Sequence, residues 1–249
     1  MAAAIVVVFD FDKTIIDVDS DNWVIDELGF TDLFNQLLPT MPWNSLMDRM
    51  MKELHSDGKT MEDIAEVLKR IPIHSQVISA IKAAHDLGCE LRIVSSVDEE
   101  GRLRISPHHD FTQSSHGCTL CPPNMCKGLI IERIQASISK EGSKKIIYLG
   151  DGAGDYCPSL KLTEADYVMP RKNFPAWALI SKNPLLVKAE IHEWIDGGEM
   201  ERVLLQIIER ISREEIGSNS AQLFSADCKL QTTSIGSHGA SPQALSVTQ

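Results

Sequence analysis

The sequence predicts an α/β fold, a doubly wound parallel sheet with an inserted α-helical cap. Three observations point there. Residues 5–9 form an unbroken β-branched and aromatic run ending on acids, the mark of a strand buried on both faces of a parallel sheet. Comparable runs recur at 90–94, at 145–149 and, more weakly, at 166–169. Between the first and second runs the patterning is helical throughout, over a length that no simple crossover needs.

Within that helical stretch, Trp43, Leu46, Met47, Met50, Met51 and Leu54 share one face of a helix. The methionines read as cap core rather than as a soft-metal site. Thr60 with Asp63 forms a capping-box pattern that opens another helix through Ile64, Val67 and Leu68. A helix over 76–87, stopped by Gly88, returns the chain to the second strand. We therefore expect a core made of 1–18 and 74–212, with a helical cap at 19–73. A last helix runs through Val203, Leu204, Ile207, Ile208 and Ile211. After it the composition turns to Ser, Thr, Gln, Gly and Ala, which predicts a disordered tail over 213–249.

The chain has 249 residues, with 35 acidic against 24 basic side chains and a formal charge of -11. That balance opposes nucleic-acid binding. It also repels anions, so a phosphate site must draw positive charge from Lys, metal or backbone N–H groups. The apolar run 2–9 is too short to span a membrane and has no basic residues before it, so a cytoplasmic protein without membrane partners is expected. Six cysteines are too sparse for a disulfide scaffold and read as thiols.

Asp10-Phe11-Asp12-Lys13-Thr14 follows the first strand, so its carboxylates project from the carboxyl end of the sheet, where open α/β folds hold ligands. Two acids one residue apart can divide the work of nucleophile and proton carrier. Gly150-Asp151-Gly152-Ala153-Gly154-Asp155 ends another strand, and Asp151 and Asp155 add the hard oxygens that Mg²⁺ prefers. A calcium-type loop or an ordinary turn is the plainer alternative.

DFDKT, the serine closing Leu91-Arg92-Ile93-Val94-Ser95, the lysine of Cys126-Lys127-Gly128, and GDGAGD occur in the order of the four motifs of haloacid dehalogenase-type phosphatases, which the chain resembles. DSDNW and YLGDGAGDYCPSLKL are similar to the phosphoethanolamine/phosphocholine phosphatase family, and within it to the plant thiamine phosphate phosphatase-like group. The resemblance implies Asp10 as nucleophile and Asp12 as general acid and base. Ser95 and Lys127 would bind and neutralise the phosphoryl group. Mg²⁺ would be held by Asp10, the Asp12 carbonyl and Asp151, with Asp155 behind them or orienting Lys127. Asp21, by local rules an N-cap, matches an acid that faces the substrate head group. The implied substrate is a small phosphorylated metabolite: thiamine monophosphate, phosphoethanolamine or phosphocholine, with inorganic pyrophosphate within the same chemistry.

Between Val97 and Cys126 no helical stripe occurs, so a βα unit of about 30 residues that the family carries there is missing. Ser96 stands where the family has an acid, with Asp98 two residues on. Loss of that unit leaves a second reading open, a shortened form that binds without turnover. His116, Cys118, Cys121 and Cys126 suggest a zinc site, whereas His108 and His109 read as loop residues.

Overall fold

The computed structural model describes residues 5–94, 116–121, 125–140 and 144–226, with side chains up to 215. The chain divides into two compact units, 1–208 and 209–249. Ser95, Ser96, Asp98, His108 and His109 lie outside the described residues, as do 227–249.

Five parallel strands form one sheet among the described residues: β1 (Ile5–Asp10), β2 (Glu90–Val94), β3 (Lys145–Gly150), β4 (Tyr167–Pro170) and β5 (Glu190–Ile191), in the order β2-β1-β3-β4-β5. The fold is the expected doubly wound one. The chain passes from β1 to β2 on one side and then crosses back over β1 to β3 on the other, which makes the carboxyl end of β1 the point where the topology switches. β5 was not expected. It is two exposed residues long and carries no local signal of its own.

Alternation along the strands feeds two apolar layers. Val6, Val8, Val94, Ile146, Tyr148 and Val168 share one cluster with Ile131, Ile134 and Ile138 of α6 (Lys127–Ile138) and Ile180 of α8 (Pro175–Lys182). Val7, Phe9, Ile147 and Leu149 point to the opposite face and are equally buried. On that side α5 (Ser75–Asp86) packs against β2. β4 begins one residue later than the sequence pattern suggests, and Asp166 just before it is buried and ties neighbouring backbone together. Its Oδ1 accepts the Ile146 N–H at 2.8 Å, and its Oδ2 accepts the Thr163 N–H and Oγ1–H at 2.7 Å each.

Helices α1 (Ser20–Glu27), α2 (Thr31–Leu37), α3 (Trp43–Ser56) and α4 (Met61–Lys69) occupy the stretch between β1 and α5. They enclose their own cluster of Val24, Ile25, Phe34, Leu46, Met50, Leu54, Ile64 and Val67. Met47 and Met51 pack against it from the same helix face, as the stripe predicts. The Thr60–Asp63 capping box is present at α4. The short helix α7 (Tyr156–Ser159) follows the turn after β3. The final helix α9 (Gly197–Ala226) continues past residue 212, where composition predicts the start of a tail. Among the described residues no helix is long and apolar enough to cross a membrane.

Candidate active site

The register of β1 sets the site. Phe9 pairs with Leu149 on one side, and Asp10 with Val94 on the other. The acidic turns after β1 and β3 therefore emerge side by side. The first bends sharply, with Lys13 in the left-handed region at φ 54°. Such a conformation in a non-glycine residue costs about 1 kcal/mol and persists where neighbours enforce it. Arg171 is the neighbour here. Its Nη1 donates to the Lys13 carbonyl at 2.5 Å and its Nη2 to Asp17 at 2.8 Å. Its guanidinium lies 4.6 Å from the Phe174 ring centre and 5.0 Å from that of Trp194.

Lys127, the first residue of α6, joins the two turns. Its ammonium lies 2.7 Å from Asp10 Oδ2 and 2.7 Å from Asp155 Oδ1. Desolvation works against that charge, but the two carboxylates raise the lysine above its ordinary value. Asp155 is 1 % exposed and accepts four hydrogen bonds. Oδ1 takes Lys127 and the Tyr148 hydroxyl at 2.6 Å, and Oδ2 takes the backbone N–H groups of Asp151 at 3.0 Å and Gly152 at 2.8 Å. Burial alone would push this carboxyl up, yet Lys127 and these donors hold it below the carboxylate range. A Cβ on Gly150 would run into the Asp155 carboxylate, so the glycine of the turn is needed for this close approach.

Asp10 and Asp151 are in the opposite condition. Burial, then the Asp155 charge, pushes Asp10 up to about 7 despite Lys127, and the same two causes push Asp151 to about 6. Asp151 Oδ1 accepts a long hydrogen bond from Thr14 Oγ1 at 3.5 Å. Carboxylate oxygens of Asp10, Asp151 and Asp155 lie within 4.8 Å of one another. With the Asp155 oxygens committed to four donors, Asp10, which accepts the Phe11 N–H at 2.9 Å beside Lys127, and Asp151 keep the greater unused accepting capacity of the three. This is a hard-oxygen set of the kind a small divalent cation uses.

Asp12 is held by Ser20 at the start of α1. Its Oδ1 accepts the Ser20 N–H at 3.0 Å and its Oδ2 the hydroxyl at 3.1 Å, while burial raises its carboxyl. The side chain capping α1 is Asp19, which accepts the Asn22 N–H at 3.2 Å, so Asp21 is not the N-cap. Asp21 sits in the first turn, exposed by area yet crowded. Desolvation, then Asp19 and Asp12, pushes it up to about 6 against a hydrogen bond from Trp43.

Of the residues the motifs single out, Asp10, Asp12, Lys127, Asp151 and Asp155 come together around the end of β1, whereas Ser95 follows the last described residue of β2. Tyr148 and Ser20 were not foreseen. Tyr148 lies inside a strand run that reads as core, and only its hydroxyl distinguishes it. Ser20 stands in a string of capping residues, and its use by Asp12 depends on the turn closing.

Acids on adjoining turns of a parallel sheet, bridged by one largely buried lysine, are the arrangement that the four motifs of a haloacid dehalogenase-type phosphatase, a hydrolase of phosphoric monoesters, require, and the family match assigns the chain to that class. More narrowly, the chain belongs to the family described as Putative Phosphatase, whose model matches residues 5–98 and 95–208. It is 64% identical over 256 residues to inorganic pyrophosphatase 2 of Arabidopsis thaliana, covering 91% of this chain and 92% of that protein. It is 48% identical over 242 residues to a thiamine phosphate phosphatase-like protein of the same plant, covering 86% and 99%. The fold matches phosphoserine phosphatase in its apo form with a TM-score of 0.51 and 17% identity, covering 80% of this chain and 96% of that one.

The family match falls into two pieces that meet at 95–98. The alignment with the pyrophosphatase is also about 30 positions longer than the stretch of this chain it covers, the length of one βα unit. Both facts agree with the loss predicted from the motif spacing.

Proposed function

We propose that the chain is a Mg²⁺-dependent phosphatase that works through an aspartyl-phosphate on Asp10, with inorganic pyrophosphate as the leading substrate. The observation that carries the chemistry is the Lys127 ammonium shared between Asp10 and Asp155. It fixes the nucleophile and leaves positive charge where a phosphoryl group would arrive. The substrate reading rests on the pyrophosphatase relative, which matches over nine-tenths of both chains.

In this account an Asp10 oxygen attacks phosphorus, and the bond from phosphorus to the leaving oxygen breaks. Asp12 gives its proton to that oxygen. Ser20 occupies both Asp12 oxygens from one side, and each keeps a further lone pair for a proton. Asp12, now ionised, takes a proton from water, which attacks phosphorus and frees Asp10 and phosphate. Lys127 neutralises charge on the phosphoryl oxygens, and Ser95 supplies a hydrogen bond to one of them. Asp10, Asp151 and the Asp12 carbonyl would hold Mg²⁺, which supplies charge screening between two anions. Asp155 keeps Lys127 in place. The helices of 19–73 serve as a cap on the core made of 1–18 and 74–212.

A second substrate reading has its own support. Asp21 and Asp19 place negative charge beside Asp12 at the start of α1, which suits the cationic head group of thiamine monophosphate, phosphoethanolamine or phosphocholine. The deciding experiment is phosphate release from pyrophosphate and these three esters, with and without Mg²⁺, alongside Asp10→Asn. Magnesium-dependent release that favours pyrophosphate and vanishes in the variant supports the first reading. Preference for an ester, reduced by Asp21→Asn, supports the second. Background turnover by folded protein on all four would favour a binding form without catalysis.

A further inference from the structure

Beyond the phosphatase site, three neighbouring thiols and a fourth from 31 residues further along the chain converge. Cys118, Cys121, Cys126 and Cys157 are all free, and their sulfurs lie within 4.8 Å of one another. Cys118 Sγ is 3.6 Å from Cys157 Sγ, and Cys126 Sγ is 3.8 Å from it. Around a tetrahedral zinc with Zn–S bonds of about 2.3 Å, neighbouring sulfurs stand about 3.8 Å apart. Sulfurs this close leave room for one ion, and none for a cluster with its own sulfides. Hard cations such as Mg²⁺ do not choose thiolates.

The backbone is shaped to bring them together. A Cβ on Gly128 would stand 2.5 Å from Cys157 Sγ, so only glycine lets the first turn of α6 approach α7 this closely. Cys126 immediately precedes α6, and Cys121 follows Cys118 at the two-residue spacing usual for zinc knuckles. The sequence pattern offers His116 in the set. In the structure the fourth partner is Cys157, and His116 Nδ1 accepts the Cys118 N–H at 3.1 Å.

We propose that Cys118, Cys121, Cys126 and Cys157 bind one structural Zn²⁺ that clasps the segment 116–121 and the start of α6 to α7. The position gives the clasp a purpose. Cys126 neighbours Lys127, and Cys157 lies two residues beyond Asp155, so the ion fixes the two backbones whose side chains make the 2.7 Å pair. It also lies at the far end of the stretch in which the sequence lacks a helical stripe.

The test uses the full chain, purified under reducing conditions without metal-affinity resin. Elemental analysis is expected to give about one zinc per chain. Cobalt exchange should produce the charge-transfer bands of a tetrahedral thiolate site. Cys118→Ser and Cys157→Ser should each abolish those bands and lower zinc content at least about tenfold, whereas Cys89→Ser and His116→Ala retain both. Chelation should lower the melting temperature of the parent and leave Cys157→Ser unchanged. Folded parent protein free of zinc, with all four thiols reacting at the rate of exposed cysteines, would overturn the proposal. So would zinc lost in His116→Ala but kept in Cys157→Ser.

Discussion

The Tyr148 hydroxyl donates to Asp155 Oδ1 at 2.6 Å, so a side chain in the middle of β3 sets the position of the carboxylate that ends the following turn. Both groups are buried. Tyr148→Phe removes one donor from an ionised acceptor at constant shape. It should cost about 1.5–3 kcal/mol of stability. Turnover should fall several-fold with KM little changed, because Lys127 loses its fixed partner before it loses its charge. Chemical denaturation and steady-state kinetics measure the two effects.

Lys127 separates folding from chemistry. Lys127→Met leaves Asp155 buried without its cation, and breaking such a pair costs about 3–5 kcal/mol. Turnover should drop by roughly 10²–10³-fold, the scale of losing one charge-stabilising group. In the double variant Lys127→Met/Asp155→Asn most of the stability should return while activity stays lost. If activity returned with stability, the lysine would be a structural group alone.

The β2 side of the sheet exposes an apolar side chain. β2 pairs with β1 alone among the described residues, and Ile93, on the same face as Phe9, is 51 % exposed. Such an edge invites association. Ile93→Thr should leave stability within about 0.5 kcal/mol and reduce concentration-dependent light scattering. Unchanged scattering would show that this face is not the adhesive one.

How much of this was legible follows from where each signal lies. β1, β2 and β3 announce themselves because parallel strands buried on both faces are continuous apolar runs, and the Thr60–Asp63 box is legible because both partners are three residues apart. β5 was not, since its pairing of Tyr167 with Glu190 and Val168 with Ile191 is set by β4 and not by its own two residues. Within the site, the acids were legible from strand-end position. The saturation of Asp155 was not, because Tyr148 looks like core until the turn folds back on it. Cys157 was missed for a similar reason. It lies 31 residues from Cys126, and only the packing of α7 on α6 joins them.

The capping box gives a dependence on pH. Asp63 accepts the Thr60 N–H at 2.8 Å and its hydroxyl at 2.9 Å, and these bonds hold its carboxyl below the ordinary 3.8. A carboxyl depressed in the folded state adds stability above its unfolded value and loses it as pH falls through the folded one. The melting temperature of the parent should exceed that of Asp63→Asn at neutral pH, and the gap should close on acidification below 3.8. A gap that is constant with pH would assign the effect to packing.

In the proposed reaction Asp10 receives the phosphoryl group. The direct measurement is acid quenching of the Mg²⁺-loaded protein during turnover of ³²P-labelled pyrophosphate or ester, followed by peptide mapping. A hydroxylamine-sensitive label is expected on the peptide carrying Asp10, absent from Asp10→Asn and accumulating in Asp12→Asn. Turnover of the same substrates with no label on Asp10 in either the parent or Asp12→Asn would contradict it.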